Sequence, residues 1–171
     1  MKRWVSGADL LTAVRIPLAA VFPFLRHATG QLAVIGMVAA SDFFDGKLAR
    51  RLGGSRAGPL LDPAADKVFM AAAFIAVWRW GLLQPLEIVG VLSRDIVAVL
   101  GAVARWVWRR TVALPARAGG KAVTVGQLLT LVAAVAASPL VRPLAWATAA
   151  IALYAIYDYG RAATHTRAAE E

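Results

Sequence analysis

Residues 36–70 read GMVAASDFFDGKLARRLGGSRAGPLLDPAADKVFM. Two apolar runs meet here around a short, glycine-rich and basic connection. The first run ends in Asp42 and Asp45, and the second begins with Asp62 and Asp66. A half-buried strand would alternate apolar and polar residues with a period of two, and this stretch does not. Spacings of three and four place Asp42 with Asp45, and Asp62 with Asp66, on shared faces of two helices. The connection over 51–58 is too short for anything but antiparallel neighbours. Both carboxylate pairs are therefore expected at one depth, facing each other.

The rest of the chain repeats this apolar character. Hydrophobic residues make up 60% of the 171 residues and charged residues 17%, against about 45–50% and about 25% in soluble domains. That bias excludes disorder and predicts an all-α integral membrane fold, one domain over residues 1–171. A membrane helix needs about 20 mostly apolar residues. Six transmembrane helices are expected, over about 10–25, 31–50, 60–78, 85–108, 122–137 and 139–159. Lys2 and Arg3 ahead of an apolar stretch suggest a signal peptide, but Asp9, Arg15 and Pro17 interrupt it. A short N-terminal interfacial segment fits better. Pro63 is compatible with a helix start capped by Asp62.

Positive charge sets the expected orientation. With six spans, one side holds Lys2, Arg3, Arg50, Arg51, Arg56, Arg105, Arg109, Arg110, Arg117, Lys121, Arg161 and Arg167. The other holds Arg26, Arg79 and Arg142. The positive-inside rule then puts both termini and the aspartates at the cytoplasmic face of a cell (inner) membrane. The net charge of +9 suits anionic lipid or phosphate-bearing substrates, and no nucleic-acid-binding pattern accompanies it. The absence of cysteine removes disulfides, thiolate metal sites and cysteine nucleophiles.

Carboxylates inside apolar segments are expensive and usually functional. Four of them in a partly dry site must take up protons or be neutralised by a cation. Hard divalent ions with oxygen ligands, Mg2+ or Mn2+, are the natural partners, and two such ions suit phosphoryl transfer. The plainer reading pairs the aspartates with Lys47, Arg50 and Lys67 as salt bridges. It suits any one aspartate better than it suits four.

The stretch from Asp42 through Arg50, followed by Gly58 to Asp66, resembles the signature of the CDP-alcohol phosphatidyltransferase family. Its eight fixed positions are Asp42, Asp45, Gly46, Ala49, Arg50, Gly58, Asp62 and Asp66. The spacer between Arg50 and Gly58 is one residue shorter than is usual in the family. Residues 11–17 look like the family's first-helix pattern, with Asp9 where asparagine is common. Residues 61–67 and 120–127 look like its bacterial glycerophosphate branch.

The resemblance implies six helices, a homodimer, and two divalent cations held by Asp42, Asp45, Asp62 and Asp66. Asp66 would also be the general base. The nucleotide and diphosphate would lie against Asp42, Gly46, Ala49, Arg50 and Gly58. Apart from the resemblance, Arg94 inside an apolar segment needs a reason to be there and suits an acceptor phosphate together with Lys121 and Arg105 or Arg117, with Thr124 suited to an acceptor hydroxyl. Gly46 and Ala49 also suit plain helix packing. Arg94 suits equally a carboxylate pair inside the bundle, with one of the four aspartates as a candidate partner and Asp95 expected on a different face. Thr124 and Gln127 share a face and suit helix–helix hydrogen bonding slightly better than an acceptor hydroxyl. His27 and Asp158 are expected to be interfacial.

The expected reaction transfers a phosphatidyl group from CDP-diacylglycerol to sn-glycerol 3-phosphate, releasing CMP. Phosphatidylglycerol, giving cardiolipin, is the nearest alternative acceptor, supported by residues 93–97, and inositol phosphate is another. A small cation transporter is the alternative from another class. It fits less well, since transport sites lie near the midplane, often with internal repeats.

Overall fold

The computed structural model describes residues 7–52, 58–108 and 118–168, with side chains described at 14–41, 44, 64–104, 120–158 and 160–161. Within these residues the chain is all α. Helix α1 spans Gly7–Val21 and runs into a 3-10 turn, Phe22–Phe24; α2 spans Ala28–Leu52 and α3 Gly58–Arg79. Helix α4 spans Pro85–Trp108, α5 Ala118–Val135 and α6 Val141–Ala168. The six expected helices are present, with shifted ends in all but α4. Pro17 lies inside α1. Helix α3 begins at Gly58, so Pro63 does not open it. Pro59 takes the second position, where a missing N–H costs no hydrogen bond, and Pro63 falls in the second turn. Helix α6 continues past residue 159 to Ala168.

The chain divides into two compact units. The first comprises Met1–Trp80 with Ala134–Ala136, and the second Gly81–Ala133 with Ala137–Glu171. In the first, α1 packs against both α2 and α3. Helix α3 buries Ala65, Phe69, Met70, Ala73, Phe74, Ala76 and Val77, a recurrence of three and four that makes one broad apolar face. Phe22 is fully buried. It meets Phe69 edge-on at 5.7 Å between centroids and Trp80 at 5.9 Å, anchoring the end of α1 on α3. Burial of one such ring contributes about 1.5–3 kcal/mol. Leu25 leaves the 3-10 turn in an extended conformation, and its carbonyl accepts a 2.7 Å hydrogen bond from Gln31 Nε2. Gly81, at φ 73°, follows α3 where a left-handed residue ends a helix at least cost.

In the second unit α4 packs against α6. Helix α4 opens with Pro85, and the Glu87 carboxylate accepts the Gln84 N–H at 2.7 Å, half of a capping box. Gly90 lets the helices close: a Cβ there would lie 2.9 Å from Ala149 Cβ. Gly126 of α5 does the same, since its Cβ would lie 2.6 Å from Thr148 Oγ1. Thr130 and Thr148, both buried, share a hydrogen bond of 3.3 Å. Helix α5 ends at Val135, and Ala137 beyond it adopts φ 50°, while Ser138 N–H bonds Ala133 O at 2.9 Å. This is a Schellman closure made without glycine.

Among the described residues no helix is long and apolar enough to cross a membrane. The expectation of six transmembrane spans is therefore not met by them. Charges interrupt the apolar runs: Glu87, Arg94 and Asp95 in α4, and Arg142, Asp158 and Arg161 in α6. The outer surfaces remain apolar, with Leu86, Val89, Leu100 and Val103 exposed on α4 and Leu153, Tyr154 and Tyr157 on α6.

Candidate active site

Asp42, Asp45, Gly46, Ala49 and Arg50 all lie within α2, and Gly58 is the first residue of α3, followed in the same helix by Asp62 and Asp66. The backbone condition for paired carboxylates is thus present, because each pair sits on continuous helix at a spacing that shares a face. Both helices belong to the first unit and both pack on α1. Asp66 is half-buried, and Phe44 is exposed between Asp42 and Asp45. The side chains of Asp42, Asp45, Ala49, Arg50, Asp62, Arg105 and Arg117 lie outside the described residues, as does the connection 53–57. Among the described residues no three His, Cys, Asp or Glu side chains converge as a metal site. The donor chemistry of the four signature positions, carboxylates alone on two helices, fits a hard divalent ion such as magnesium or manganese.

One residue of this unit exceeds what the sequence suggested. Arg15 is 1% exposed and heads the large, fully buried side chains. Its Nε donates to Ser41 Oγ at 2.9 Å, and that hydroxyl donates to Val38 O at 2.9 Å. In the sequence Arg15 interrupts an apolar run and lies in the 11–17 stretch that resembles a first-helix pattern, but no partner for it is visible there. A guanidinium in such a run was the available signal, because it must be paired to be tolerated there.

The proposed acceptor residues with described side chains fall in the second unit. Arg94 is not separated from Asp95 as expected: Arg94 Nη1 lies 3.2 Å from Asp95 Oδ1. Neighbours on a helix project about 100° apart, and a long, flexible arginine spans that angle. The buried Arg94 Nε has no hydrogen-bond partner among the described residues. Asp95 Oδ2 accepts from Gln127 Nε2 at 2.8 Å, and the same amide donates to Val91 O at 3.0 Å. Gln127 therefore performs helix–helix bonding. Thr124 Oγ1 donates to Gly120 O in its own helix at 3.2 Å. Lys121 and His27 are exposed and Asp158 is half-buried. Glu87, unremarked in the sequence, is buried, with one oxygen 3.9 Å from Arg142 Nε.

Residues 6–156 match the CDP-alcohol phosphatidyltransferase family, and the chain belongs to that family of membrane-bound enzymes. It is 35% identical over 130 residues to a Mycobacterium tuberculosis protein named "Putative cardiolipin synthase", covering 72% of this chain and 61% of that one. It is 32% identical over 152 residues to that organism's "Probable phosphatidylglycerophosphate synthase", covering 83% and 68%. An Aquifex aeolicus CDP-diacylglycerol–glycerol-3-phosphate 3-phosphatidyltransferase is 34% identical over 101 residues, covering 56% and 57%. The chain thus spans about 61% of the length of the first of these relatives.

Proposed function

We propose that this protein transfers a phosphatidyl group from CDP-diacylglycerol to sn-glycerol 3-phosphate and releases CMP. The observation that carries this reading is the placement of all eight signature positions on the end of α2 and the start of α3, within one unit. The relatives named for glycerol-3-phosphate transfer and phosphatidylglycerophosphate synthesis support the acceptor. Family membership weighs against the transporter alternative. The apolar exposed faces of α4 and α6 suit lipid contact. A multi-pass place in the cytoplasmic membrane, with the aspartates facing the cytoplasm, and a homodimeric state belong to the same proposal.

In this reading Asp42, Asp45, Asp62 and Asp66 would hold two divalent cations. Bound magnesium or manganese would supply Lewis-acid activation of the diphosphate and the acceptor oxygen. Asp66 accepts the acceptor hydroxyl's proton as that oxygen bonds to the lipid-side phosphorus. The bond from that phosphorus to the bridging diphosphate oxygen breaks, and CMP departs with its electron pair. Arg50 clamps the diphosphate, while Gly46, Ala49 and Gly58 leave room for the nucleotide. Among the candidates with described side chains, Lys121 is the exposed one and is proposed to meet an acceptor phosphate. Arg94, Arg105, Arg117 and Thr124 are assigned to the same task.

A second reading, with phosphatidylglycerol as acceptor, is favoured by the 130-residue match to the mycobacterial relative named for cardiolipin synthesis. CMP release in lipid–detergent micelles with CDP-diacylglycerol and Mg2+, each acceptor offered separately, separates the two. Release with glycerol 3-phosphate is expected. Release with phosphatidylglycerol alone overturns the leading acceptor, and silence with both directs the search to inositol phosphate.

A further inference from the structure

We propose that Arg15 and Ser41 form a positioning pair that sets the α2 carboxylates for cation binding, an inference that rests on the metal-dependent reading above. Burial of a guanidinium is costly unless its donors are engaged, yet Arg15 is almost fully enclosed. Its Nε–H is spent on a hydroxyl of another helix, 26 residues away. The acceptor of that bond, Ser41, immediately precedes Asp42 and stands one helical turn before Asp45. Ser41 in turn bonds back to the Val38 carbonyl, a local contact that trims the path of a helix.

The bond therefore fixes α2 against α1 in rotation and in height at the turn where its two carboxylates begin. Helix α1 also packs on α3, which carries Asp62 and Asp66. One helix thus braces both carboxylate-bearing helices, and Arg15 is its polar tie to the first. Groups that hydrogen-bond directly to metal ligands are worth about 10–100-fold in metal affinity, and a tie on the residue next to a ligand is expected at the lower end of that range. Arg15 and Ser41 need not touch the cation for this role.

The test is Mn2+ binding to the purified full chain in detergent micelles, read from loss of the free-Mn2+ paramagnetic resonance signal and paired with metal-free melting. Ser41→Ala should weaken Mn2+ binding about 10-fold, while Ser41→Thr, which keeps the oxygen, should bind as the parent does. If Ser41→Ala is not monodisperse, Arg15→Lys carries the same expectation, because it keeps the charge and loses the Nε–H. Parent-like affinity in Ser41→Ala, with or without a lower melting temperature, overturns the pair as a positioning device. Equal weakening in Ser41→Thr does so too. A parent protein that binds no Mn2+ overturns the metal-dependent reading itself, and the positioning role with it.

Discussion

Gln127 of α5 reaches Asp95 of α4 with a 2.8 Å hydrogen bond, and the same carboxylate holds Arg94 at 3.2 Å. Asp95 is thus the hub of a polar cluster inside the second unit. Gln127→Leu would leave both Asp95 Oδ2 and Val91 O without that donor. A loss of about 1–3 kcal/mol is expected, measured by thermal unfolding in detergent. Asp95→Asn should cost at least as much, because one amide oxygen can accept from Gln127 or Arg94 but not from both, and Arg94 loses its counter-charge.

The contact between α4 and α6 is set by the smallest side chains available. Gly90→Ala would bring its Cβ to 2.9 Å from the Cβ of Ala149. Neither atom can rotate away, so the helices must part, at an expected cost of about 1–3 kcal/mol. Ala149→Gly in the same chain should restore much of the loss. Melting temperatures of the two single variants and the double variant test this.

Ala137 offers the opposite sign. A left-handed conformation costs an L residue about 1–2 kcal/mol; glycine removes that strain but costs about 0.4–1 kcal/mol through the larger entropy of its unfolded state. Ala137→Gly should therefore raise stability by about 0.5–1 kcal/mol, visible as a higher melting temperature without change in activity.

For the proposed reaction, Asp66→Asn should lower CMP release by at least about 10²-fold, the usual contribution of a positioned base. The variant should elute and melt as the parent does. Near-normal turnover would remove Asp66 from the base role.

Chelation supplies a separate check. Excess EDTA should stop CMP release, and restored Mg2+ or Mn2+ should recover it. Activity that persists in the chelator would mean that the four aspartates serve another purpose.

Much of the helix plan was legible. Helix α4 occupies 85–108 as expected, because proline suits a helix start and the apolar run continues to Trp108. The backbone setting of Asp42, Asp45, Asp62 and Asp66 was legible too, since i, i+3 and i, i+4 spacing has a simple meaning on a helix. Pro63 misled as a possible start: the chain tolerates proline within the second turn of α3, where only one backbone bond is lost. Arg94 misled for a different reason. Helical phase separates it from Asp95, but a guanidinium at the end of a long stem is not bound by the phase of its Cα. The Arg15–Ser41 bond joins residues on different helices, and no local pattern encodes such a partner. The membrane spans rest on average hydropathy, which the charges of α4 and α6 dilute.

The meeting of Gly126 with Thr148 has a bearing on how this protein can diverge. A methyl at 126 would need the space now filled by the threonine hydroxyl and would disturb its bond to Thr130. The two positions are thus free to drift only as a couple: growth at one must be matched by shrinkage at the other. In any collection of sister sequences, alanine at the first position should travel with glycine or alanine at the second. Such a paired exchange would be a record of helix spacing rather than of chemistry.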